Sequence, residues 1–283
     1  MPERGHSWGI LPVSGISWWE AAVLGMVEGA TEFLPISSTG HLIIVQDLLG
    51  HTDEASKVFN VAIQLGAILA VCWYYRDRLW RVTQGLGHDP AARRFVLNLF
   101  VAFLPAALIG LVAHKAIKTY LFSPLTVALA LALGAVLIFV VERWRPAPRI
   151  QSVDDMRPAD ALKVGFAQSL ALIPGTSRSG ATIIGGMAFG LSRQAATEFS
   201  FFLAIPTIFG ATVYDLWKSR DVLTATALPM ISVGFIVSFF SALVVVRWLL
   251  HYVSKHDFSP FGWYRIFFGG VILLTWWTGL VQW

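Results

Sequence analysis

The sequence predicts an all-α polytopic membrane protein with six spanning helices and two re-entrant broken-helix pairs in an inverted repeat. The chain is 56% hydrophobic and only 13% charged, whereas a soluble domain usually carries about 25% charged residues. Several segments of roughly membrane-spanning length contain no charge, and two further apolar segments are interrupted by polar turns. Lipid is therefore expected to be the main solvent of this chain.

The predicted elements follow in order along the chain. Residues 20–50 are the first broken segment, and spanning helices are expected at 57–75, 95–113 and 121–142. Residues 161–192 are the second broken segment, in which 14 uncharged residues precede Arg178 and 14 follow it. Further spanning helices are expected at 196–217, 227–249 and 260–281. Non-helical backbone at membrane depth is tolerated only where protein or a water-filled cavity surrounds it.

The two broken segments resemble each other. Residues 34–40 align with residues 173–180 if one inserted residue is allowed, and a spanning region follows each. Paired interrupted helices in the two halves of a membrane protein indicate a shared site near the midplane. We therefore interpret residues 1–283 as a single integral membrane domain, with halves of about 18–142 and 159–283 as inverted repeats.

The charge distribution predicts the orientation. Under this span assignment, 13 Lys and Arg residues fall on the side of the 76–94 loop and six fall on the opposite side. The positive-inside rule makes the first side cytoplasmic, so the first broken segment enters from outside and the second from inside. The net charge of +4 reflects this bias, and we expect no nucleic-acid partner. The single Cys72 excludes an intramolecular disulfide.

The first polar motif contains acid–base and nucleophilic side chains. Glu28 and Glu32 are four residues apart, so on a helix they share a face. Intramembrane carboxylates are functional candidates by default, as a general base or as ligands of a divalent cation, although an interhelical salt bridge is the alternative. Ser38 and His41 are both candidate nucleophiles. Ser37 and Thr39 are candidate substrate-binding residues, or simply helix caps.

The second polar motif has the composition of an anion-binding loop. Gly175 allows backbone N–H groups to approach a ligand, and the half-helix that follows offers its positive N-terminus. Arg178 supplies a planar, permanently charged fork suited to phosphate oxygens. The alternative is a serine-rich cap from which Arg178 extends to a lipid headgroup. The further candidate substrate-binding residues are Ser177, Ser179 and Thr182.

Together the motifs predict a phosphate-handling site. Phosphoryl transfer needs a nucleophile in line and positive charge on the phosphoryl oxygens. The sequence contains no GxxxxGK[ST] pattern of a P-loop ATPase and no CxxC or HExxH zinc pattern. Because the site is expected among lipid-facing helices, the substrate should be anionic at one end and apolar at the other.

Residues 28–41 and 174–182 closely resemble the two signature motifs of the bacterial undecaprenyl-diphosphate phosphatase family, also called the bacitracin-resistance proteins. The resemblance extends over nearly the whole chain, including residues 63–66 and 198–201. It implies a hydrolase that converts undecaprenyl diphosphate to undecaprenyl phosphate, which recycles the lipid carrier of peptidoglycan synthesis and confers bacitracin resistance. By position, the essential residues of the family fall on Glu28, Glu32, Ser38, His41, Ser177, Arg178 and Thr182.

The resemblance also implies a homodimer in the bacterial inner membrane, and we expect the site to open toward the periplasmic face. Mg²⁺ or Ca²⁺ is the candidate cofactor, with Glu28 and Glu32 as candidate ligands, and no organic cofactor is expected. The main alternative function is a flippase or transporter of undecaprenyl phosphate, because inverted repeats and broken helices are also typical of transporters.

Overall fold

The computed structural model describes residues 15–51, 54–144, 147–218 and 228–281. In these ranges the chain is helical, and its β structure is limited to an isolated bridge between Ile150 and Leu191. The predicted all-α class is therefore confirmed. The helices in chain order are α1 Trp18–Thr31, α2 Ser38–Leu48, α3 Glu54–Tyr74, α4 Arg76–Gly85, α5 Pro90–Tyr120, α6 Pro124–Trp144, α7 Pro158–Ser169, α8 Arg178–Ala188, α9 Arg193–Lys218, α10 Leu228–Val253 and α11 Ser259–Trp277.

Both broken segments are helix pairs joined by a short non-helical loop, as predicted. We call residues 32–37, between α1 and α2, the first loop, and residues 173–177, between α7 and α8, the second loop. A 3-10 turn at Leu170–Leu172 leads from α7 into the second loop. Pro35 and Pro174 lie within the loops, where proline lacks a backbone N–H and disfavours helix in the residue before it. Each loop therefore ends at the N-terminus of a half-helix.

Four helices in the described ranges are long and apolar enough to cross a membrane: Pro90–Ala113, Pro124–Trp144, Arg193–Asp215 and Leu228–Val253. A fifth candidate is the pair Val58–Tyr74 and Arg76–Gly85, which is bent by 74°. Helix α11, expected as the sixth span, is not among them, and the charged Arg265 within it lowers its mean hydropathy. The protein is thus a multi-pass membrane protein with four or five candidate spans.

Glycines let the broken segments pack closely against spanning helices. In α1, a Cβ at Gly25 or Gly29 would collide with the backbone of α10, at Gly234 and Ser238 respectively. In α7, a Cβ at Gly165 would collide in the same way with the backbone of Ala102 in α5. Small residues at such crossings are typical of helix packing in membranes. The first helix of each broken segment therefore packs on a spanning helix of the other half.

Candidate active site

A cavity of about 120 Å³ lies between the two loops. Its wall is polar where the two loops form it. It is apolar where α9 and the 3-10 turn before the second loop form it. A single water molecule needs only about 10–15 Å³ of such space, so the cavity has room for a small polar group. It is lined by Glu32, Ser37, Ser38, Thr39, Gln64, Ala171, Ile173, Pro174, Gly175, Ser177, Arg178 and Ile208.

Glu32 connects the two motifs directly. One carboxylate oxygen, Oε2, accepts a hydrogen bond of 2.6 Å from the Ser38 hydroxyl. The other, Oε1, forms a salt bridge of 2.9 Å with Arg178 Nη2. The residue is only 6% exposed, so the pair is largely removed from water. The interhelical salt bridge that the sequence left as an alternative is therefore present, and it lies inside the cavity.

Two serines at the N-terminus of α2, Ser37 and Ser38, line the cavity. Ser37 is the N-cap residue and has a φ of 71°, which is uncommon for a residue other than glycine. Ser38 begins the helix with its hydroxyl on Glu32, and Thr39 is the exposed neighbour. A hydroxyl that donates to a carboxylate is arranged to lose its proton, which is the geometry expected of a nucleophile and its base.

The second loop reproduces this arrangement at the N-terminus of α8. Ser177 is the N-cap with a φ of 69°, and its hydroxyl accepts from the backbone N–H of Gly180 at 3.1 Å. Gly175 has a φ of +91°, and a Cβ there would collide with the backbone of Val127 in α6. Only glycine therefore fits at this position. The loop presents the positive end of a helix to the cavity, as an anion site requires.

Arg178 extends from the first position of α8 across to the first loop. Its Nη1 donates to the backbone carbonyl of Ser200 at 3.0 Å, while Nη2 contacts Glu32. Its guanidinium carbon also lies 5.9 Å from the centre of the Phe33 ring. The Nε–H is buried and has no hydrogen-bond partner in the described ranges. Arg178 thus brings a positioned positive charge to the cavity wall, rather than reaching a headgroup.

Ser179 and Thr182, also predicted as substrate-binding residues, lie outside the cavity lining and are fully buried. The Ser179 hydroxyl donates to the Leu34 carbonyl of the first loop at 2.8 Å. The Thr182 hydroxyl lies 2.7 Å from the hydroxyl of Ser200, whose carbonyl accepts from Arg178. In this geometry both side chains position the loops and Arg178 instead of facing the cavity.

Glu28 is 1% exposed and does not line the cavity. Its Oε1 has no hydrogen-bond partner among the described residues. In the same ranges, no three His, Cys, Asp or Glu side chains form a group that could hold a metal ion. Mg²⁺ is often bound by one or two carboxylates together with the phosphates of a substrate. Of the two candidate ligands only Glu32 lines the cavity, and both of its oxygens already have partners, so a divalent cation held by Glu32 and substrate oxygens stays a proposal.

His41 is one turn into α2 but does not line the cavity. Its Nδ1 lies 2.8 Å from the Ser37 carbonyl, and its Nε2 lies 2.6 Å from the hydroxyl of Tyr264 in α11. The ring also stacks on Phe268, with centroids 3.9 Å apart. Both ring nitrogens are thus occupied, whereas the Ser38 hydroxyl is at the cavity wall.

Arg265, next to Tyr264 in α11, did not emerge from the sequence as a candidate. It is 1% exposed and donates to five backbone carbonyls, on both loops and on α6. The acceptors are Pro35 in the first loop, Gly175 and Thr176 in the second, and Ala130 and Leu131 in α6. An arginine within an apolar segment is itself a functional signal, and that signal could have identified it.

Gln64 and Ser200 also join the site from α3 and α9. Both lie in short segments that support the family resemblance, but neither carries a distinctive spacing of its own. As a whole, the site offers a hydroxyl on a carboxylate, a guanidinium on the same carboxylate, and two helix N-termini. These are the groups required to attack phosphorus and to stabilise negative charge on its oxygens.

Comparison with known proteins agrees with this chemistry. A family model described as bacitracin resistance protein BacA matches residues 21–271. The undecaprenyl-diphosphatase of Aromatoleum aromaticum is 62% identical over 263 residues, which cover 93% of this chain and 96% of that protein. The undecaprenyl-diphosphatase of Dechloromonas aromatica is 60% identical, with coverage of 93% and 96%. Undecaprenyl-diphosphatase 2 of Rhodospirillum rubrum is 60% identical, with coverage of 93% and 97%.

The matched region begins inside α1 and ends inside α11, so it includes both loops and the cavity residues between them. Relatives of this similarity, aligned over nearly their whole length, share the fold. The chain belongs to the BacA bacitracin-resistance family.

Proposed function

We propose that this protein hydrolyses undecaprenyl diphosphate to undecaprenyl phosphate and inorganic phosphate, and thereby confers bacitracin resistance. The observation that carries the proposal is the sequence of contacts from the Ser38 hydroxyl through Glu32 to Arg178. The names of the curated relatives support the substrate. The polar cavity among apolar helices suits a molecule with an anionic head and a prenyl tail.

In the proposed reaction, the Ser38 oxygen attacks the terminal phosphorus while its proton passes to Glu32. The bond to the bridging oxygen breaks, and undecaprenyl phosphate leaves with the electron pair of that bond. Glu32 gives that proton to the departing undecaprenyl phosphate and so becomes a base again. Water then attacks the phosphoserine and loses a proton to Glu32, the bond between phosphorus and the serine oxygen breaks, and Glu32 returns the proton to that oxygen as phosphate is released. Arg178 and the N-terminus of α8 stabilise the negative charge on the phosphoryl oxygens. A bound Mg²⁺ or Ca²⁺ would further neutralise the diphosphate.

The contacts of Ser38 and His41 favour Ser38 as the nucleophile. Ser38 lines the cavity and already donates to a carboxylate. His41 would first have to give up its hydrogen bond to Tyr264 before Nε2 could reach a substrate.

We also infer the inverted repeat and a six-span topology, with α3 and α11 as the additional spans. The N-cap serines of α2 and α8 share the same uncommon φ, 71° and 69°. The reciprocal packing of α1 on α10 and of α7 on α5 provides further support. The inner-membrane location, the periplasmic opening of the site and the homodimer stay predictions.

Phosphate release by the purified protein tests the proposed function. We expect detergent-solubilised protein to release phosphate from a long-chain prenyl diphosphate, and Glu32→Ala to reduce the rate by about a hundredfold or more, as for loss of a general base. Glu20→Ala is a matched control on the same helix, because Glu20 bonds only with Ser17 and His51 at the helix start in the described ranges. Release by the wild type no faster than by Glu32→Ala would contradict hydrolysis and favour transport.

A further inference from the structure

The hydrogen bonds of His41 define its tautomer. Nδ1 lies 2.8 Å from the Ser37 carbonyl, and because a carbonyl oxygen can only accept, Nδ1 must carry the hydrogen. In the neutral ring, Nε2 then presents a lone pair, and the Tyr264 hydroxyl at 2.6 Å donates to it. A second group that binds one ring nitrogen commonly determines what the other can do. The Ser37 carbonyl therefore sets the tautomer of His41, and Tyr264 holds the ring through its remaining nitrogen.

Two further contacts fix helix α11 against the first broken segment. Phe268, one turn later in α11, stacks on the His41 ring with an interplanar angle of 7°. Arg265, the next residue after Tyr264, donates to the Pro35 carbonyl of the first loop at 3.1 Å. The hydroxyl of Tyr264 is therefore presented to His41 by a helix that is itself anchored to the same loop.

The other end of this chain of contacts lies beside the proposed nucleophile. Ser37, whose carbonyl accepts from His41, has a positive φ and directly precedes Ser38. A residue other than glycine keeps such a conformation only where its surroundings over-determine it. The hydrogen bond from His41 is one such constraint. The orientation of the Ser38 hydroxyl therefore depends on a side chain that Tyr264 orients.

We propose that Tyr264 is a positioning residue for the hydrolysis, acting through His41 on the backbone of Ser37 and so on the orientation of the Ser38 hydroxyl. This inference rests on the proposed function. It assigns His41 a role that requires no contact with the substrate. It also explains why His41 lies outside the cavity with both ring nitrogens occupied.

The test is Tyr264→Phe, which removes the hydroxyl and keeps the ring beside His41 and Phe268. We expect kcat for phosphate release to fall about tenfold, in keeping with the loss of one orienting hydrogen bond, and KM to stay within about twofold. Tyr252→Phe is the matched control. Tyr252 also stacks on a histidine, with ring centroids 4.7 Å apart, but there His256 Nδ1 bonds the backbone carbonyl of Tyr252 and not its hydroxyl.

A double-mutant cycle identifies the route of the effect. His41→Phe keeps a ring for stacking on Phe268 and removes both nitrogens. In the His41→Phe background, Tyr264→Phe should cause no further loss of kcat, because the hydroxyl then has no partner to orient. A tenfold loss that persists in that background would overturn the inference, as would an unchanged kcat or an effect on KM alone in the single variant.

The same assays separate this inference from the proposed function. If the wild type releases no phosphate above the Glu32→Ala level, the hydrolysis and the role of Tyr264 in it are both contradicted. If the wild type is active and Tyr264→Phe matches it, only the inference about Tyr264 is contradicted. The unfolding temperature of each variant, measured in the same detergent, should equal that of the Tyr252→Phe control. If Tyr264→Phe lowers both kcat and the unfolding temperature, its role is structural and the inference is contradicted.

Discussion

At the scale of residues, the site depends on one carboxylate with two partners. Glu32 accepts from Ser38 with one oxygen and from Arg178 with the other. Removing one member of a buried ion pair usually leaves an uncompensated charge, so changes at Arg178 should affect Glu32 as well. The hydroxyl, the carboxylate and the guanidinium therefore act as one unit, and single substitutions within it should not be additive.

Arg178→Lys tests whether the geometry of the guanidinium matters beyond its charge. Arg178 reaches Glu32 and the Ser200 carbonyl through two different nitrogens, and a single ammonium group cannot reproduce this fork. We expect kcat/KM for phosphate release to fall by about a hundredfold, or roughly 2.7 kcal/mol. Arg94→Lys, on the exposed hydrogen bond to the Asp154 carbonyl, is the control and should retain the wild-type rate. Full activity of Arg178→Lys would show that charge alone suffices.

The sequence predicted which residue types meet at the site, but not all of their orientations. Spacing within each motif placed Glu32 and Ser38 near one turn and Arg178 at the start of a half-helix. The contact of His41 with Tyr264 joins residues 223 positions apart, and no local pattern encodes it. The same holds for Thr182 and Ser200, because the packing of α9 on α8 decides that Thr182 faces Ser200 and not the cavity.

At the scale of elements, two half-helices point their N-termini into one cavity. Each is preceded by an N-cap serine at positive φ, where the backbone turns sharply. The first four N–H groups of a helix lack partners within it and attract anions. The second loop also passes so close to α6 that there is no room for a side chain at Gly175. The loop geometry and the packing of α6 therefore depend on each other.

Gly175→Ala tests this close approach. The added Cβ would meet the backbone of Val127 and would sit at a φ of +91°, so the second loop must move away from α6. We expect the rate of phosphate release to fall by about tenfold or more and the unfolding temperature to decrease, since strain of this kind costs about 1–3 kcal/mol.

Gly50→Ala is the matched control for that substitution. Gly50 also has a positive φ, +78°, but no atom of the described residues lies within 4 Å of the position that an added Cβ would take. It therefore carries the same backbone strain without the collision, and its rate of release should stay near that of the wild type. If Gly175→Ala behaves like Gly50→Ala in both rate and unfolding temperature, the close contact with α6 is not important for the site.

The sequence predicted the broken segments well, because polar residues interrupt an apolar stretch there. It predicted the ends of the helices less well. The structure contains both broken segments. They could be predicted because a proline and clustered hydroxyl side chains mark each loop in the sequence. Helix α5, expected at 95–113, spans Pro90–Tyr120, because charged residues such as Arg93 extend a helix beyond the apolar stretch. Pro105 and Pro206 lie inside helices without ending them. The separate surface helix α4 was not predicted, since it carries no apolar run.

At the scale of the whole molecule, the two halves are interlocked. The first helix of each broken segment packs on a spanning helix of the opposite half, and α8 bonds the first loop through Ser179 and Arg178. Neither half could therefore form the cavity alone. The site therefore combines a reactive group from one half with a positive charge from the other, as expected of a site shared by two interrupted helices.

Thiol labelling in intact cells tests the proposed orientation. Cys72 is the only cysteine in the chain, so Cys72→Ala provides a cysteine-free background. In that background, Gly50→Cys, in the loop after α2, should react with a membrane-impermeant thiol reagent added outside the inner membrane. Gly87→Cys, in the loop after α4, should react only after the cells are permeabilised. The opposite pattern would show that the positive-inside assignment is reversed.

In the proposed mechanism, Ser38 attacks phosphorus with Glu32 as its base. The most direct measurement is quenching with SDS at mildly alkaline pH, which preserves both phosphoserine and phosphohistidine, during turnover of a prenyl diphosphate labelled in its terminal phosphate, followed by mass spectrometry of the digested protein. We predict a phosphoryl group on the peptide that contains Ser38, absent from Ser38→Ala and strongly reduced in Glu32→Gln. A phosphoryl group on His41 or on any other residue, or full turnover by Ser38→Ala, would contradict the account.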